Sequence, residues 1–404
     1  MALPKALPSR ELIFLVGPLA LAQIVSWGSI VYSFPLLLGP IEAELGWSRT
    51  ELTGAFSLSL LMTGLCAFPV GWWIDRHGGH LPMTLGSLAA ALLFFAWSET
   101  STLWVFYAIW LGLGVVMAAT LYEPVFAVLV ATTGPEARRA ITLMTLIAGF
   151  AGTVFYPTSQ ILIELLGWRD ALVVLALLNL VVSGGIHHLL LRRRHPAARE
   201  IGKEPKSATL EPEATPLRMA MRRPSFWLLG LAFTANALVL SALTVHVIPL
   251  LVERGFEIAL VIAMMAFVGP MQVAGRLCFV VLERWVDFAL SGLVTLALPL
   301  AAIGLLIVAG PDDSWIFAYP LLFGTAAGIA TIIRASAVPE FIGSAGYGTV
   351  NGALTVPATV ARAAGPTLAA LVWAWAGGYD AVLWLMLPIV AVSAAAFYLA
   401  SLKR

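Results

Sequence analysis

Polar residues interrupt this chain in short bursts, and long apolar runs lie between them. Twelve runs have about the 20-residue length that a bilayer core asks of a helix. They cover approximately 12–38, 51–73, 81–98, 103–131, 140–166, 170–191, 225–252, 258–282, 286–309, 314–338, 347–372 and 380–401. These are numbered helices 1 to 12. Only the break Gly167-Trp168-Arg169 separates helices 5 and 6. Between helices 6 and 7 the polar burst lengthens to 192–224, a charged, Pro-rich stretch with few large apolar residues. That composition reads as a flexible linker. The pattern predicts an all-α membrane protein of two six-helix bundles, 1–191 and 225–404, joined by 192–224.

Composition agrees with the pattern. Only 11% of the 404 residues are charged and 60% are hydrophobic, against roughly 25% charged in soluble domains. Mean hydropathy is +0.93. The net charge of +1 gives no reason to expect nucleic acid. The distribution of Lys and Arg is more informative. With the N-terminus placed in the cytoplasm, 17 of the 23 fall on the cytoplasmic side and only Arg49, Arg169 and Arg254 on the other. The positive-inside rule then predicts that both termini are cytoplasmic. The first apolar run is too long for a signal-peptide core and is read as helix 1. Cys66 and Cys278 lie in apolar segments and suggest neither a disulfide framework nor a metal site.

A repeat is visible in the turns. Gly-aromatic pairs occur at Gly46, Gly167, Gly255 and Gly378, after helices 1, 5, 7 and 11. Gly46 and Gly255 are 209 residues apart, and Gly167 and Gly378 are 211 apart. Asp75-Arg76 closes helix 2 and Glu283-Arg284 closes helix 8, an offset of 208. Three matches at nearly one period indicate that the two halves are parallel repeats.

The loop after helix 2, "GWWIDRHGGH", resembles the major facilitator superfamily signature G-x-x-x-D-R-x-G-R-[RK]. Gly71, Asp75, Arg76 and Gly78 match, while Gly79 and His80 replace its basic end. The resemblance implies the major facilitator fold, in which two pseudo-symmetric halves bind substrate near the midplane between them. It also implies a conformational role for Gly71, Asp75, Arg76 and Gly78. Within the superfamily the chain is similar to a bacterial branch related to monocarboxylate porters. In helix 8, "PMQVAGRL", Arg276 matches the branch's arginine and Gln272 stands where it has an aspartate. Helix 1 carries "SWGSIVYSF", a partial match to the branch's Gly/Trp-rich helix, without its opening acid. The resemblance places the protein in a bacterial inner membrane.

Charges at mid-membrane cost about 2.5–3.5 kcal/mol each on translocon scales, so they face a cavity or one another. The first half holds Glu123 and the second holds Arg276, Arg334 and Arg362. Any pair that includes Glu123 must join the halves. Arg334 is the favoured partner, because helices 4 and 10 are repeat equivalents. Glu123 is therefore a candidate to latch a gate or to carry a proton. Arg276 and Arg362 could take an anionic group in bidentate geometry. Gln23, Trp27, Tyr32, Tyr122, Tyr156, Asn236 and Gln272 complete the candidate cavity, whereas His246 is read as structural. "GTAAG" (324–328) and "AGFAG" (148–152) are read as packing motifs.

No sequence for nucleotide binding, metal ligation or covalent catalysis is present, so neither an enzyme nor a cofactor is expected. The expectation is a monomeric secondary carrier for a small organic anion or polar metabolite, coupled to protons or facilitated. An exporter of amphipathic or toxic compounds is the alternative. A non-transporting membrane sensor is the alternative from another class.

Overall fold

The computed structural model describes residues 9–192, 216–343 and 347–403, and the regular structure among them is helical. Among the described residues, eleven helical segments are long and apolar enough to span a membrane. They are Arg10–Leu45, Arg49–Ile74, His80–Glu99, Leu103–Thr133, Arg139–Leu166, Trp168–Arg192, Pro224–Glu253, Ile258–Leu282, Phe288–Val308, Ser314–Phe341 and Asp380–Ser401. Helix 11, Tyr347–Ala376, has 30 residues and the necessary length. Its Arg362, Asn351 and threonines keep it less apolar than the others. Lower hydropathy is expected of a membrane helix with one polar face.

Local chemistry sets the helix ends. Helix 2 opens with a capping box, in which Ser48 Oγ accepts from the Glu51 amide and the Glu51 carboxylate accepts from the Ser48 amide. It closes at Gly78, whose φ of +81° suits glycine. Prolines set several internal breaks. Helix 1 passes through a π-turn at Gly28–Tyr32 just before Pro35. Helix 4 breaks at Leu121, ahead of Pro124. Helix 8 breaks at Phe267, ahead of Pro270. Proline has no N–H and clashes with the carbonyl four residues back, so each break is a local consequence of sequence. Helix 5 breaks at Gly149-Phe150, inside "AGFAG". That motif marks a turn, and a Cβ on its Gly152 would lie 3.5 Å from the Tyr32 ring of helix 1.

The chain forms two compact units, within Met1–Ser207 and Ala208–Arg404. In the first, Leu12, Leu15, Leu19, Met83, Val125, Leu129 and Met144 form a core from helices 1, 3, 4 and 5. In the second, Phe226, Leu229, Ile333, Phe341, Leu354 and Phe397 form another, from helices 7, 10, 11 and 12. Packing repeats between units at the same offset as sequence. A Cβ on Gly114 of helix 4 would lie 2.5 Å from the Ser59 carbonyl of helix 2. A Cβ on Gly324 of helix 10 would lie 2.7 Å from the Val268 carbonyl of helix 8. "GTAAG" thus serves close approach, and at Gly328 a Cβ would sit 2.3 Å from the Gln272 carbonyl. Backbone cannot retreat from such a contact as a side-chain tip can. Gly328→Val should cost about 1–3 kcal/mol or more and lower the thermal unfolding midpoint in detergent.

Most of the stretch read as linker, 193–215, lies outside the described residues. Pro216–Met221 is a short helix, and Ala220 is buried in the second core. Trp227 Nε1 donates to the Met221 carbonyl at 2.8 Å, and Arg223 donates to the Ile342 carbonyl at 3.0 Å. These contacts anchor the approach to helix 7.

Candidate functional site

Helix 4 carries the site's most informative backbone feature. Pro124 leaves the Thr120 carbonyl without its helical donor, and Gln23 Nε2 of helix 1 takes that place at 2.6 Å. The Gln23 side chain is fully buried, and its Oε1 has no hydrogen-bond partner among the described residues. One turn along helix 1, the buried Nε1 of Trp27 likewise has none. The Trp27 ring lies 5.1 Å from Tyr122, which stacks on Phe126 at 5.3 Å. Glu123 is exposed in the first turn after the break, and no ion pair or hydrogen bond joins its side chain to the described residues. The break therefore places an acid, an aromatic row and two unsatisfied polar atoms around one turn of helix 4 and the facing part of helix 1.

Tyr32 and Tyr156 meet edge to face at 5.3 Å, with Tyr156 buried. Beside them runs a polar seam that the sequence reading missed. Asn179 Nδ2 donates to Ser29 Oγ at 2.8 Å, Ser26 meets Ser183 at 3.2 Å, and Ser33 meets Ser159 at 2.9 Å. It ties helix 1 to helices 5 and 6 next to two π-turns, Gly28–Tyr32 and Asn179–Gly184. Gly28 is required there, because a Cβ would lie 2.0 Å from the Phe155 ring. Asn179 is the sole Asn or Gln of helix 6, a signal available in the sequence.

In the second unit Arg276 is half-buried and donates Nε to the Gly328 carbonyl at 3.3 Å. Arg334 donates Nη2 to Thr355 Oγ1 at 2.9 Å, and Thr355 donates to the Asn351 carbonyl at 2.7 Å. Arg362 is exposed and has no hydrogen bond or ion pair among the described residues. At 3.6 residues per turn, Asn351, Thr355 and Arg362 share one face of helix 11. Exposed Val356, Val360 and Leu371 occupy the opposite face. Arg362 is thus exposed away from the apolar stripe of its helix. Asn236 and Gln272 are half-buried, and no side-chain hydrogen bond joins either to the described residues.

His246 has a structural setting. Pro366 can only accept, so His246 Nε2–H donates to its carbonyl at 2.8 Å, and Nδ1 meets the Tyr379 hydroxyl at 2.8 Å. Tyr379→Phe would leave Nδ1 buried without that partner. A loss of about 1–3 kcal/mol is expected, read as a lower unfolding midpoint.

Each unit also has a staple at the ends of its first helix. Glu44 accepts from Trp168 Nε1 at 2.6 Å and from Arg169 Nε at 2.9 Å, and Arg169 donates to the Ser98 carbonyl of helix 3 at 2.5 Å. In the second unit Glu253 accepts from Trp373 Nε1 at 2.8 Å. Arg254 pairs with Asp380 and donates to the Leu306 carbonyl of helix 9. Glu44 and Glu253 are 209 residues apart, and Arg169 and Asp380 are 211 apart. The second pair is inverted in charge, yet it ties equivalent helices. Glu123 and Arg334 are also 211 apart and also inverted.

The structure extends helix 2 through most of the signature, so Gly71, Trp72 and Arg76 lie in its last turns; Gly71 is half-buried, and exposed Arg76 lies over the Trp72 ring at 4.1 Å. The Asp75 side chain lies outside the described ones. Gly79 occupies a basic position of the signature for a steric reason, since a Cβ there would meet Val128 Cγ2 at 2.2 Å.

The family model of the Major Facilitator Superfamily matches residues 19–366. The chain belongs to that superfamily. This major facilitator is 27% identical over 335 residues to human monocarboxylate transporter 11, covering 78% of the chain and 68% of that relative. Its fold is similar to a bacterial homolog of the human lysosomal transporter Spinster, with a TM-score of 0.76, 14% identity and 98% of both chains covered. It is also similar to the nucleoside transporter NupG, at 0.75, 13% identity and coverage of 96% and 99%. The human organic anion transporter MFSD10 aligns at 0.67 and 20% identity, with 97% of this chain and 100% of that one covered. At these identities the structural matches show the shared transporter fold.

Proposed function

We propose that this major facilitator carries a small organic anion across a bacterial inner membrane by alternating access, with Arg362 as the anion's principal counter-charge. One observation carries the reading. Arg362 is exposed on the polar face of helix 11, opposite its apolar stripe, and has no partner among the described residues. A cation held inside a membrane protein but turned from lipid favours an anionic ligand. The guanidinium fork fits a carboxylate in bidentate geometry. Arg276 and Arg334 add positive charge in the same unit. Trp27, Tyr122 and Phe126 offer aromatic surface, and Gln23 Oε1 with Trp27 Nε1 offers an acceptor and a donor. The names of two similar proteins, a monocarboxylate transporter and an organic anion transporter, point the same way.

Glu123 and Arg334 form the gate in this reading, and Glu123 is the proton carrier when they separate. Both termini lie in the cytoplasm, and the carrier acts as a monomer. A thermal-stabilisation screen of purified protein across organic acids and neutral amphiphiles tests the ligand class. Carboxylates should raise the unfolding midpoint of wild type but not of Arg362→Gln. Stabilisation by neutral amphiphiles alone would sink the anion reading.

A further inference from the structure

An arginine guanidinium carbon lies over an indole ring at Arg169–Trp168, Arg76–Trp72 and Arg284–Trp285, with 4.2, 4.1 and 3.9 Å to the ring centroid. The first pair shows what such a guanidinium does with its remaining donors. The Trp168 ring lies under the Arg169 guanidinium, whose N–H groups donate to Glu44 and to the carbonyls of Ser98 and Thr100. Arg76 and Arg284 have the same stacking and are exposed. No hydrogen bond or ion pair joins either edge to the described residues.

Their places in the chain are also matched. Arg76 lies two residues beyond the apolar span ending at Ile74, and Arg284 two beyond the span ending at Leu282. Six crossings separate them, so both helix ends meet the same leaflet. The helices leading to them present exposed apolar side chains, Leu65 and Phe68 on helix 2 and Leu277, Val280 and Val281 on helix 8. Trp72 is 44% exposed and Trp285 is 66% exposed. Indoles settle at the level of the headgroups. A guanidinium held over such an indole keeps its fork at that level, where bidentate phosphate contacts form.

We propose that Arg76 and Arg284 each bind the phosphate of an anionic phospholipid, in two repeat-related sites at the ends of helices 2 and 8. The occupant is lipid because apolar surface leads directly to each fork, and a free phosphate would use none of it. The positive charge assigned to this side by the Lys and Arg distribution favours an anionic leaflet.

The test uses full-length protein in nanodiscs of phosphatidylcholine with and without phosphatidylglycerol. Lipids retained after extraction are counted by native mass spectrometry, with inorganic phosphate in detergent as a separate arm. Wild type should retain phosphatidylglycerol over phosphatidylcholine. Arg284→Gln should lose about half of that excess, and Arg76→Gln/Arg284→Gln nearly all of it. Trp285→Leu, which keeps the charge, should lose part and provides a reading if the double variant folds poorly. Free phosphate should not stabilise the protein. Undiminished phosphatidylglycerol retention in the Arg284→Gln and Trp285→Leu variants, or equal stabilisation by inorganic phosphate, would overturn the proposal.

Discussion

Arg362→Gln is expected to lower organic-anion flux about a hundredfold without unfolding the protein. A hydrogen bond to a charged group contributes about 1.5–3 kcal/mol, and a bidentate fork makes two in parallel. A loss near 3 kcal/mol is about two powers of ten in kcat/KM. Because no protein group among those described depends on the Arg362 side chain, the unfolding midpoint should change little. Arg362→Lys should recover only part of the flux, since an ammonium keeps the charge but loses the fork. Initial rates in proteoliposomes, read beside thermal unfolding of each variant, separate a binding role from a folding role. Unchanged flux in Arg362→Gln would remove Arg362 from the site.

The second large effect concerns Glu123 and Arg334. Their 211-residue offset equals that of Arg169 and Asp380, so both inverted pairs occupy equivalent positions of the repeat. Glu123→Arg should stop exchange, as should Arg334→Glu, because each sets like charges at the proposed gate. The double variant Glu123→Arg/Arg334→Glu should regain at least about a tenth of wild-type exchange, which separate structural roles would not produce. Glu123→Gln removes the group proposed to take the proton. It should abolish the rise in uptake that an outwardly acidic gradient gives wild type. A double variant as inactive as either single one would contradict the gate.

Much of this architecture is legible in the sequence because membrane folding is harsh on composition. Span length and charge-poor runs follow from the cost of bare polar groups in lipid, and the repeated Gly-aromatic turns display the two-fold repeat. The break in helix 4 is legible too, since Pro124 imposes it. The carbonyl it frees, and the residue that satisfies it, are not. Gln23 looks like a cavity residue in sequence because it is polar at mid-depth, but its Nε2 is held by Thr120 of another helix. Ser26, Ser29, Ser33, Ser159 and Ser183 escape notice because serine also serves as a small packing residue. Their pairing is a property of facing helices, and no spacing along one helix displays it. The exposure of Arg362 opposite Val356 and Val360 could be read from the helical period. Its lack of a partner among the described residues could not.

The central claim is that this major facilitator moves an organic anion recognised by Arg362. The most direct measurement is accumulation of a labelled monocarboxylate in proteoliposomes, with unlabelled organic acids and neutral amphiphiles as competitors. Wild type should accumulate the label, organic acids should compete, neutral amphiphiles should not, and Arg362→Gln should fall near the protein-free background. Accumulation blocked only by neutral amphiphiles, or equal in wild type and Arg362→Gln, would contradict the account.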